Sequence, residues 1–445
     1  MKYFGLVVVL AVVVSSLVSS RTLVLAQDGD SAGKAGHQPN ITSFSVEPDI
    51  ALTYPSTVDL NLPDEHTTLL PILPLLRPWR WPFEQAYLMF GSSKVIPTGP
   101  GGTVVLQTSD LTHFDSTAGL GYPAQVMSSA IPIKVCDGIH DQEFDENYAA
   151  PGSVLQDPTR PWGNMIMIYE AENHCPGGNN QHDFYATVGF AISSDGGRSW
   201  PTPVNSEFGN TTRRPVFKSA IPEPSTASSF PLGNAIPSGF IDINDRGEAY
   251  LYVVYDNQDG SPADESLRVG RAKLGEISRG IGGREDEWSA IPYDQLQFYK
   301  WYHGSFSQPG IGGLDSSVLT DTGCSGKEHM GEITHNDDLG VYMMIFVCKP
   351  SSKGNAAWYY STATSLDLQD WTNPQPVSNS EKAFTLACNP NDNTGTRFDG
   401  FYPSFMSPGA SAGHTRLTGR AFFMQGCDTG ERVFASREFV ITVKH

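Results

Sequence analysis

The chain has 445 residues, of which 39% are hydrophobic and 11% aromatic, and its formal net charge is −19. This length suffices for two or three ordinary domains or for one large repeat fold. The negative charge argues against nucleic acid and anionic membranes as partners, because both require a basic protein surface.

The first 26 residues have the pattern of a secretory signal peptide. Lys2 precedes an apolar run from Leu6 to Val14, and a small residue, Ala26, ends the segment. The run is too short to span a bilayer comfortably, so we expect cleavage and no membrane association afterwards. Residues 27–44 are predicted to be a disordered leader, and residues 45–445 a single folded domain. The mature protein is expected outside the cell, or in the periplasm of a bacterial host.

Six cysteines in an exported chain predict three disulfides. Other connectivities are open, and we favour the pairs that stay within one repeat: Cys136–Cys175, Cys324–Cys348 and Cys388–Cys427. No C-x-x-C spacing points to a metal site. Asn40 and Asn210 begin glycosylation sequons, which have meaning in a eukaryotic host.

Short strand-like segments separated by turn residues fill the rest of the chain, and sustained helical periodicity is rare. Apolar runs such as Met165-Ile-Met-Ile-Tyr169 are typical of strands buried on both faces. The chain is therefore predicted to be all-β. The predicted strands are 84–90, 103–108, 152–156, 165–170, 185–193, 240–243, 249–255, 267–274, 331–335, 341–347, 357–362, 401–405, 420–425 and 432–440.

A turn signature returns at an almost even pitch. Thr108–Phe114, Ser193–Trp200 and Ser365–Trp371 each contain a hydroxyl residue, an Asp and a closing aromatic, and a weaker copy ends in Trp288. The aromatics at 114, 200, 288 and 371 are 86, 88 and 83 residues apart. The Asp closes a turn through backbone amides, and we expect the aromatic to enter the apolar layer between sheets. Such a period predicts a β-propeller with five blades, or six if residues 45–130 supply more than one.

These motifs resemble known propeller families. Ser193–Trp200 matches the Asp-box of sialidase-like propellers, which indicates a fold rather than an activity. Most of residues 84–445 resembles five-bladed glycoside hydrolases such as family 43 and the invertase-like enzymes, and also secreted propellers related to arabinan-cleaving enzymes. The segments that carry this resemblance are Asp110–Phe114, Ala150–Val154, Met165–Glu170, Ile236–Phe240, Ala249–Val253 and Asp367–Trp371. The resemblance implies an acid and a base on inner strands of different blades, but no first-blade Asp-Pro motif identifies the base.

Acidic residues near the starts of the innermost strands would gather around one funnel. Glycoside hydrolysis needs such a set, because one carboxyl protonates the leaving oxygen while another activates water or attacks the sugar. The favoured pair is Glu332 with Glu146 or Asp145, and Asp399 and Asp242 are further candidates. The predicted substrate-binding residues, which include aromatics for stacking on sugar faces, are Tyr148, Phe401, Tyr402, Arg397 and His329.

The favoured function is a secreted, monomeric glycoside hydrolase that acts on a neutral glycan. Glu332 is the preferred general acid, because Met330 and Ile333 beside it should desolvate its carboxyl group and raise the pKa. A non-catalytic carbohydrate- or protein-binding propeller and a sialidase-like exoglycosidase remain alternatives. We predict no cofactor and no catalytic metal, and leave room for a structural calcium ion in the central channel.

Overall fold

The computed structural model describes most of the chain from Gln38 to Lys444. Residues 1–37, with the predicted signal peptide and much of the predicted leader, lie outside the described residues. The described ranges are 38–55, 58–59, 68–71, 86–95, 101–123, 125–128, 144–145, 148–160, 164–174, 184–200, 213–223, 232–258, 266–278, 287–319, 326–350, 357–366, 370–380, 397–427 and 433–444.

These residues form strands and two short 3-10 helices, Ala118–Leu120 and Tyr293–Gln295. No helix in the described ranges is long and apolar enough to cross a membrane. In chain order the strands are β1 (Ile41–Val46), β2 (Ile50–Ala51), β3 (Val58–Asp59), β4 (Thr68–Pro71), β5 (Tyr87–Val95), β6 (Gly101–Thr108), β7 (Asp115–Ser116), β8 (Met127–Ser128), β9 (Tyr148–Gln156), β10 (Met165–Asn173), β11 (Tyr185–Ser193), β12 (Arg213–Phe217), β13 (Leu232–Ile243), β14 (Glu248–Gln258), β15 (Ser266–Ser278), β16 (Glu287–Ala290), β17 (Phe298–Tyr302), β18 (Ser305–Pro309), β19 (Gly326–Asn336), β20 (Val341–Pro350), β21 (Ala357–Ala363), β22 (Gln375–Pro376), β23 (Arg397–Met406), β24 (His414–Thr415), β25 (Thr418–Cys427) and β26 (Val433–Val443).

The strands lie in four mostly antiparallel sheets of a β-propeller. The sheet orders are β3-β5-β6-β7, β18-β17-β15-β14-β13-β11-β10-β9, β22-β21-β20-β19-β24 and β1-β26-β25-β23. The second sheet contains two meanders, β9 to β12 and β13 to β16, which a short parallel pairing of β11 with β13 joins. The predicted all-β propeller class is confirmed, and the number of blades stays a prediction.

We call β9, β13, β19 and β23 the inner strands, because each begins a meander and each contacts the next in this series. Their second strands, β10, β14, β20 and β25, are the middle strands. The middle strand β10 is buried on both faces as predicted, since Ile166, Met167, Ile168 and Tyr169 are all 0% exposed. Alternate side chains of this strand therefore pack against the sheets on either side of it.

The N-terminal strand β1 corrects the predicted boundary of the leader. Ile41–Val46 pairs with β26, and Phe44 lies opposite Ile441. Phe44 and Val46 are buried while the residues between and before them are more exposed, as in a half-buried strand. The folded domain therefore begins before residue 45, because this short alternation is enough to add a strand to the last sheet.

The turn signature at Ser193–Trp200 has the predicted hydrogen bonds. The Asp195 carboxylate accepts hydrogen bonds from the amides of Arg198 and Ser199, both at 3.0 Å. Trp200 is 4% exposed, and its indole nitrogen donates to the carbonyl of Gly197 at 3.1 Å. The Asp thus closes the turn, and the aromatic returns the chain to the hydrophobic core.

The earlier copy of the signature is built in the same way, but the weak copy is not. Asp110 accepts hydrogen bonds from the amides of Thr112 (2.8 Å) and His113 (2.7 Å), and Phe114 is 3% exposed. Trp288, in contrast, lies on the short strand β16 and is 43% exposed. Its predicted equivalence to the other aromatics is therefore wrong. Asp367 of the last copy lies outside the described residues.

Replacing Asp195 by alanine is expected to lower the free energy of unfolding by about 1 kcal/mol at pH 7, because several hydrogen bonds to one carboxylate are lost. Burial alone would raise the pKa of Asp195, but hydrogen bonds from Ser199, Ser193 and backbone amides lower it overall. The contribution is therefore present at neutral pH and is lost as pH falls below about 4. Urea unfolding at pH 7 and pH 3 measures the effect. Asp245→Ala, in an exposed turn, is the control, and equal losses in both variants would contradict the assignment.

Candidate functional site

The four inner strands share a β-bulge. In each, one extra residue is accommodated opposite the middle strand, and the register shifts there. The bulges lie in Pro151-Gly-Ser153, Ile236-Pro-Ser238, Met330-Gly-Glu332 and Tyr402-Pro-Ser404. Bulges of this kind re-aim side chains and are frequent next to active sites. Each bulge here ends in a polar residue, and these residues are Ser153, Ser238, Glu332 and Ser404.

Adjacent inner strands approach closely at the bulges. A Cβ atom on Gly152 would lie 1.9 Å from the carbonyl oxygen of Pro237. Ile236, Met330 and Tyr402 have φ angles of 53°, 56° and 54°. A non-glycine residue in this left-handed region costs on the order of 1–2 kcal/mol. Neighbouring groups must therefore hold these three residues in place.

Two buried carboxylates from middle strands hold this strained backbone. The amide of Ile236 donates to Glu170 Oε2 at 2.5 Å, and the amide of Met330 donates to Asp256 Oδ1 at 2.9 Å. Glu170 lies on β10 and Asp256 on β14, so each carboxylate reaches the bulge of the next inner strand. Hydrogen bonds to these two carboxylates therefore stabilise the strained backbone of Ile236 and Met330.

Asp256 forms a cluster with two residues at the start of β19. Its Oδ2 lies 2.9 Å from His329 Nδ1, and the Asp256 and His329 side chains are 2% and 14% exposed. Glu328 is 3% exposed, and its Oε2 accepts no hydrogen bond from the described residues. A buried oxygen without a partner is costly, and in a native fold it calls for an explanation such as catalysis or a bound ligand.

Burial raises the pKa of Glu328 to about 7. The charge of Arg268 and a hydrogen bond with the backbone of Leu267 oppose this rise, and the negative charge of Asp256 adds to it. Glu328 therefore keeps its proton in part of the population near neutral pH. Two neighbouring carboxyl groups whose environments separate their protonation states are the usual arrangement of acid and carboxylate partner in an active site.

An ion-pair network fixes Arg268 beside Glu328. Arg268 Nε lies 3.0 Å from Asp315 Oδ1, and the wholly buried Lys300 lies 3.3 Å from Asp315 Oδ2. The hydroxyl of Tyr255 also donates to Asp315, at 3.0 Å. Arg268 therefore cannot swing freely onto Glu328, which limits how far its charge stabilises the ionised form of that carboxyl group.

Glu332 lies instead at a small cavity between the inner strands. Its Oε2 accepts a hydrogen bond from the Phe405 amide at 2.8 Å, and Ser153, Gly239 and Ser404 line the same cavity. The cavity measures about 30 Å³, which accommodates about one or two water molecules, whereas ligand pockets span about 300–1,000 Å³. Among the described residues that line it, Glu332 is the one carboxylate. A cavity of this size does not accommodate a sugar ring.

The predicted desolvation of Glu332 is nevertheless confirmed. Burial raises its pKa to about 8, and the hydrogen bond from Phe405 offsets part of the rise. A carboxyl group with a raised folded-state pKa stabilises the fold fully below its unfolded pKa of about 4.3, and this contribution is lost as pH rises toward 8. Glu332 therefore makes the folded protein less stable under alkaline conditions.

Replacing Glu332 by glutamine is expected to make the protein about 1–3 kcal/mol more stable at pH 8, because the amide accepts the Phe405 hydrogen bond without a desolvated charge. The gain should vanish near pH 4.5, where the wild-type carboxyl group is protonated in the fold. Urea unfolding at the two pH values measures it, with the exposed Glu47→Gln as control. A difference between variant and wild type that stays the same at both pH values would refute the interpretation.

Asp145 is held in a buried ion pair. Arg213 Nη2 lies 2.5 Å from Asp145 Oδ2, the hydroxyl of Tyr169 donates to the same oxygen at 3.0 Å, and both charged side chains are 1% exposed. The guanidinium favours the ionised carboxylate, which suits a structural or electrostatic role better than proton donation. Asp145 does not line the Glu332 cavity, so the two predicted partners do not meet there. Glu146 lies outside the described residues.

Asp242 belongs to the opposite end of its inner strand. It lies about 20 Å beyond Ile236, at about 3.3 Å per strand residue. The Tyr342 hydroxyl donates to its Oδ1 at 2.7 Å. Burial raises the pKa of Asp242, while that hydrogen bond and the charges of His335 and His414 oppose the rise. The prediction that it joins the acids at the strand starts is wrong, because the strand length separates them.

The predicted binding residues have different surroundings in the structure. Phe401 is 4% exposed and packs in the hydrophobic core, so its predicted role as a stacking platform is wrong. Tyr148 is half-buried with its hydroxyl 3.2 Å from Ser92 Oγ, and Tyr402 is half-buried at its bulge. His329 belongs to the Asp256 cluster. Arg397 and Asp399 lie on β23, but their side chains are outside the described residues.

The adjacent arginines on β12 do not form a common anion site. Arg213 pairs with Asp145, whereas Arg214 donates to the carbonyl oxygens of Tyr293 (3.0 Å) and Leu296 (2.8 Å). Neighbouring residues of a strand point to opposite faces, which explains the separation. The two guanidinium groups therefore do not converge on one ligand.

Cys348 on β20 is disulfide-bonded. The side chains of the other five cysteines lie outside the described residues, so the three predicted pairings stay predictions.

No protein-family profile and no curated protein sequence match the chain. Solved structures resemble it at low identity. The catalytic domain of a GH62 α-L-arabinofuranosidase from Coprinopsis cinerea is 12% identical with a TM-score of 0.42, over 91% of this chain and 98% of that one. A GH43 endo-arabinanase from Bacillus licheniformis is 11% identical with a TM-score of 0.40, over 87% and 96%. A Dyadobacter fermentans protein of unknown function is 10% identical with a TM-score of 0.40, over 90% and 100%.

Sequence reasoning did not select Asp256, Glu170 or Glu328 as site residues. Asp256 and Glu170 lie on middle strands, where an acid is expected to face solvent or a neighbouring turn. Each directly follows a fully buried tyrosine, in Tyr255-Asp256 and Tyr169-Glu170. This repeated aromatic–acid pair near the end of a middle strand is the signal that distinguishes them.

Proposed function

We propose that this protein is a secreted glycoside hydrolase that cleaves a neutral glycan with Glu328 as general acid and Asp256 as its carboxylate partner. The observation that carries the proposal is the buried Glu328, with its pKa raised to about 7, beside the Asp256 charge. Asp256 lies on the middle strand β14 and Glu328 near the start of the inner strand β19, so the two carboxyl groups come from neighbouring sheets, which is compatible with positions on either side of a bound sugar.

In the proposed reaction, protonated Glu328 donates to the glycosidic oxygen as the bond to the anomeric carbon breaks. Asp256 faces the developing positive charge and either attacks the sugar or activates water. The Met330 amide and His329 orient Asp256 through its two oxygens, so that little reorganisation is needed during the reaction. The leaving group receives the Glu328 proton, and water supplies the proton that restores the acid.

A neutral substrate fits the charge of the site. Glu170, Asp256 and Glu328 are acidic groups near the starts of the inner strands, and the whole chain has a net charge of −19. A uronate or sialic acid substrate would meet like charge here, which costs binding free energy. The signal-like first 26 residues support action outside the cytoplasm.

The test is hydrolysis of a panel of neutral polysaccharides and aryl glycosides by the purified protein. We expect sugar release from at least one substrate, and its loss in the Asp256→Asn and Glu328→Gln variants. Glu332→Gln should retain activity on the same substrate. Loss of activity in Glu332→Gln alone would identify Glu332, at the small cavity between the inner strands, as the general acid and would contradict the proposed pair.

A non-catalytic glycan-binding propeller is the second candidate. Glu170, Asp256 and Glu332 each accept an amide hydrogen bond from the next inner strand, and this structural role alone accounts for carboxylates at these positions. If calorimetry detects binding of a polysaccharide that the protein never hydrolyses, the binding module is the correct function.

A further inference from the structure

A second cluster of polar side chains lies at the end of β19 opposite to Glu328. His335 Nδ1 and His414 Nδ1 lie 2.9 and 2.8 Å from the same oxygen, Asp337 Oδ1. The side chains of His335, Asp337 and His414 are 26%, 34% and 31% exposed, so solvent ions have access to them. We propose that these three residues bind a divalent transition-metal ion of the Zn²⁺ type.

The distances suit a single ion. One ligand atom from each of the three residues lies within 4.8 Å of the others. A tetrahedral zinc ion with bonds of about 2.0–2.1 Å holds its ligand atoms about 3.4 Å apart. Each ligating imidazole nitrogen therefore needs to move about 0.5 Å away from the Asp337 oxygen to make room for the ion.

The backbone around the cluster is fixed by pairing of β19 with β24. The His335 amide donates to the Gly413 carbonyl at 3.0 Å, and the Asp337 amide donates to the Thr415 carbonyl at 2.9 Å. His335 and His414 are direct partners in this short parallel ladder. A site built on paired strands holds its ligands more accurately than a site on separate loops.

Aromatic rings and a second carboxylate complete the surroundings. The His335 ring lies 5.1 Å from the Tyr342 ring, and the His414 ring lies 6.0 Å from the Phe240 ring. Tyr342 in turn donates its hydroxyl to Asp242 at 2.7 Å. Asp242 adds negative charge close to both imidazoles, which favours a cation between them.

The ligand chemistry selects the class of ion. Two imidazoles and one carboxylate match the preferences of Zn²⁺, Co²⁺ and Ni²⁺, whereas Ca²⁺ and Mg²⁺ prefer oxygen ligands. The cluster is distant along β19 from Glu328, so the ion is expected to join β19 to the segment that carries His414 rather than to take part in glycan cleavage. The sequence showed no metal-binding spacing, because His335 and His414 are far apart in the chain.

The test uses tag-free protein stripped with a chelator. Isothermal titration with Zn²⁺ should give one site per chain, and Co²⁺ should give the visible absorption bands of a tetrahedral complex. His414→Ala and Asp337→Asn should each weaken Zn²⁺ binding at least tenfold. His113→Ala is the matched control, because His113 faces a single carboxylate, Asp110, at 2.5 Å, and it should bind Zn²⁺ as the wild type does.

Melting temperatures without metal show whether each variant is folded. Zn²⁺ should raise the melting temperature of the wild type and of His113→Ala, but not that of His414→Ala, whereas any effect of Ca²⁺ should be the same in all three proteins. Absence of a stoichiometric Zn²⁺ site in the wild type would overturn the proposal, and so would unchanged Zn²⁺ affinity in folded His414→Ala and Asp337→Asn.

Discussion

Replacing Glu328 by glutamine is expected to lower kcat on an unactivated glycoside by about 10²–10⁴-fold, the usual contribution of a general acid. Glutamine has nearly the same shape but cannot donate a proton to the leaving oxygen. A dinitrophenyl glycoside needs little protonation of its leaving group, so its turnover should fall much less. Initial rates on matched substrates that differ in the leaving group measure this contrast.

The pH profile gives the same assignment independently. Because the acid must be protonated, wild-type kcat/KM should fall as pH rises through about 7, the pKa that burial gives Glu328. With the activated substrate, kcat/KM of Glu328→Gln should not show this decrease at alkaline pH. Glu276→Gln, which changes an exposed acid on β15, should have the wild-type kcat/KM and the same decrease at alkaline pH. An equal loss on all leaving groups would show that Glu328 is not the proton donor.

Replacing Arg213 by methionine is expected to cost about 3–5 kcal/mol of unfolding free energy, because it leaves the buried Asp145 carboxylate without its guanidinium partner. The hydroxyl of Tyr169 remains as a donor but carries no compensating charge. Chemical denaturation at pH 7 measures the loss. The double variant Arg213→Met with Asp145→Asn should recover part of it, since the uncompensated charge is then absent.

An exposed ion pair provides the control for Arg213. Arg416 lies 3.7 Å from Asp338, and the two side chains are 50% and 34% exposed. Arg416→Met should cost less than about 1 kcal/mol, because solvent screens this pair. If Arg213→Met costs no more than the control, the buried pair does not stabilise the fold in the way described.

The sequence was sufficient for the fold class because its signals are local. The Asp195 turn and the apolar run at Met165–Tyr169 depend on hydrogen bonds and burial within a few residues. Trp288 misled the prediction because a spacing argument does not show whether a position is covered by a neighbouring sheet. Phe401 was wrongly predicted to be accessible. It lies on the inner strand β23, but its ring packs in the hydrophobic core.

The candidate site was harder to predict because its contacts cross from one meander to the next. Asp256 and the Met330 amide are 74 residues apart in the chain, and they meet because a bulge shifts the register of β19. The desolvation of Glu332 was predictable from its apolar neighbours. The size of its cavity was not, because it depends on how closely β9, β13, β19 and β23 approach one another.

A ¹³C NMR titration of the glutamate carboxyl groups tests the central claim most directly, because it needs no substrate. The Glu328 signal is assigned by its loss in Glu328→Gln, and a second titration in Asp256→Asn removes the neighbouring charge. We predict a Glu328 pKa of about 7 in the wild type and a lower value in Asp256→Asn. A Glu328 pKa near the ordinary glutamate value of about 4.3, unchanged in Asp256→Asn, would contradict its role as the acid of this site.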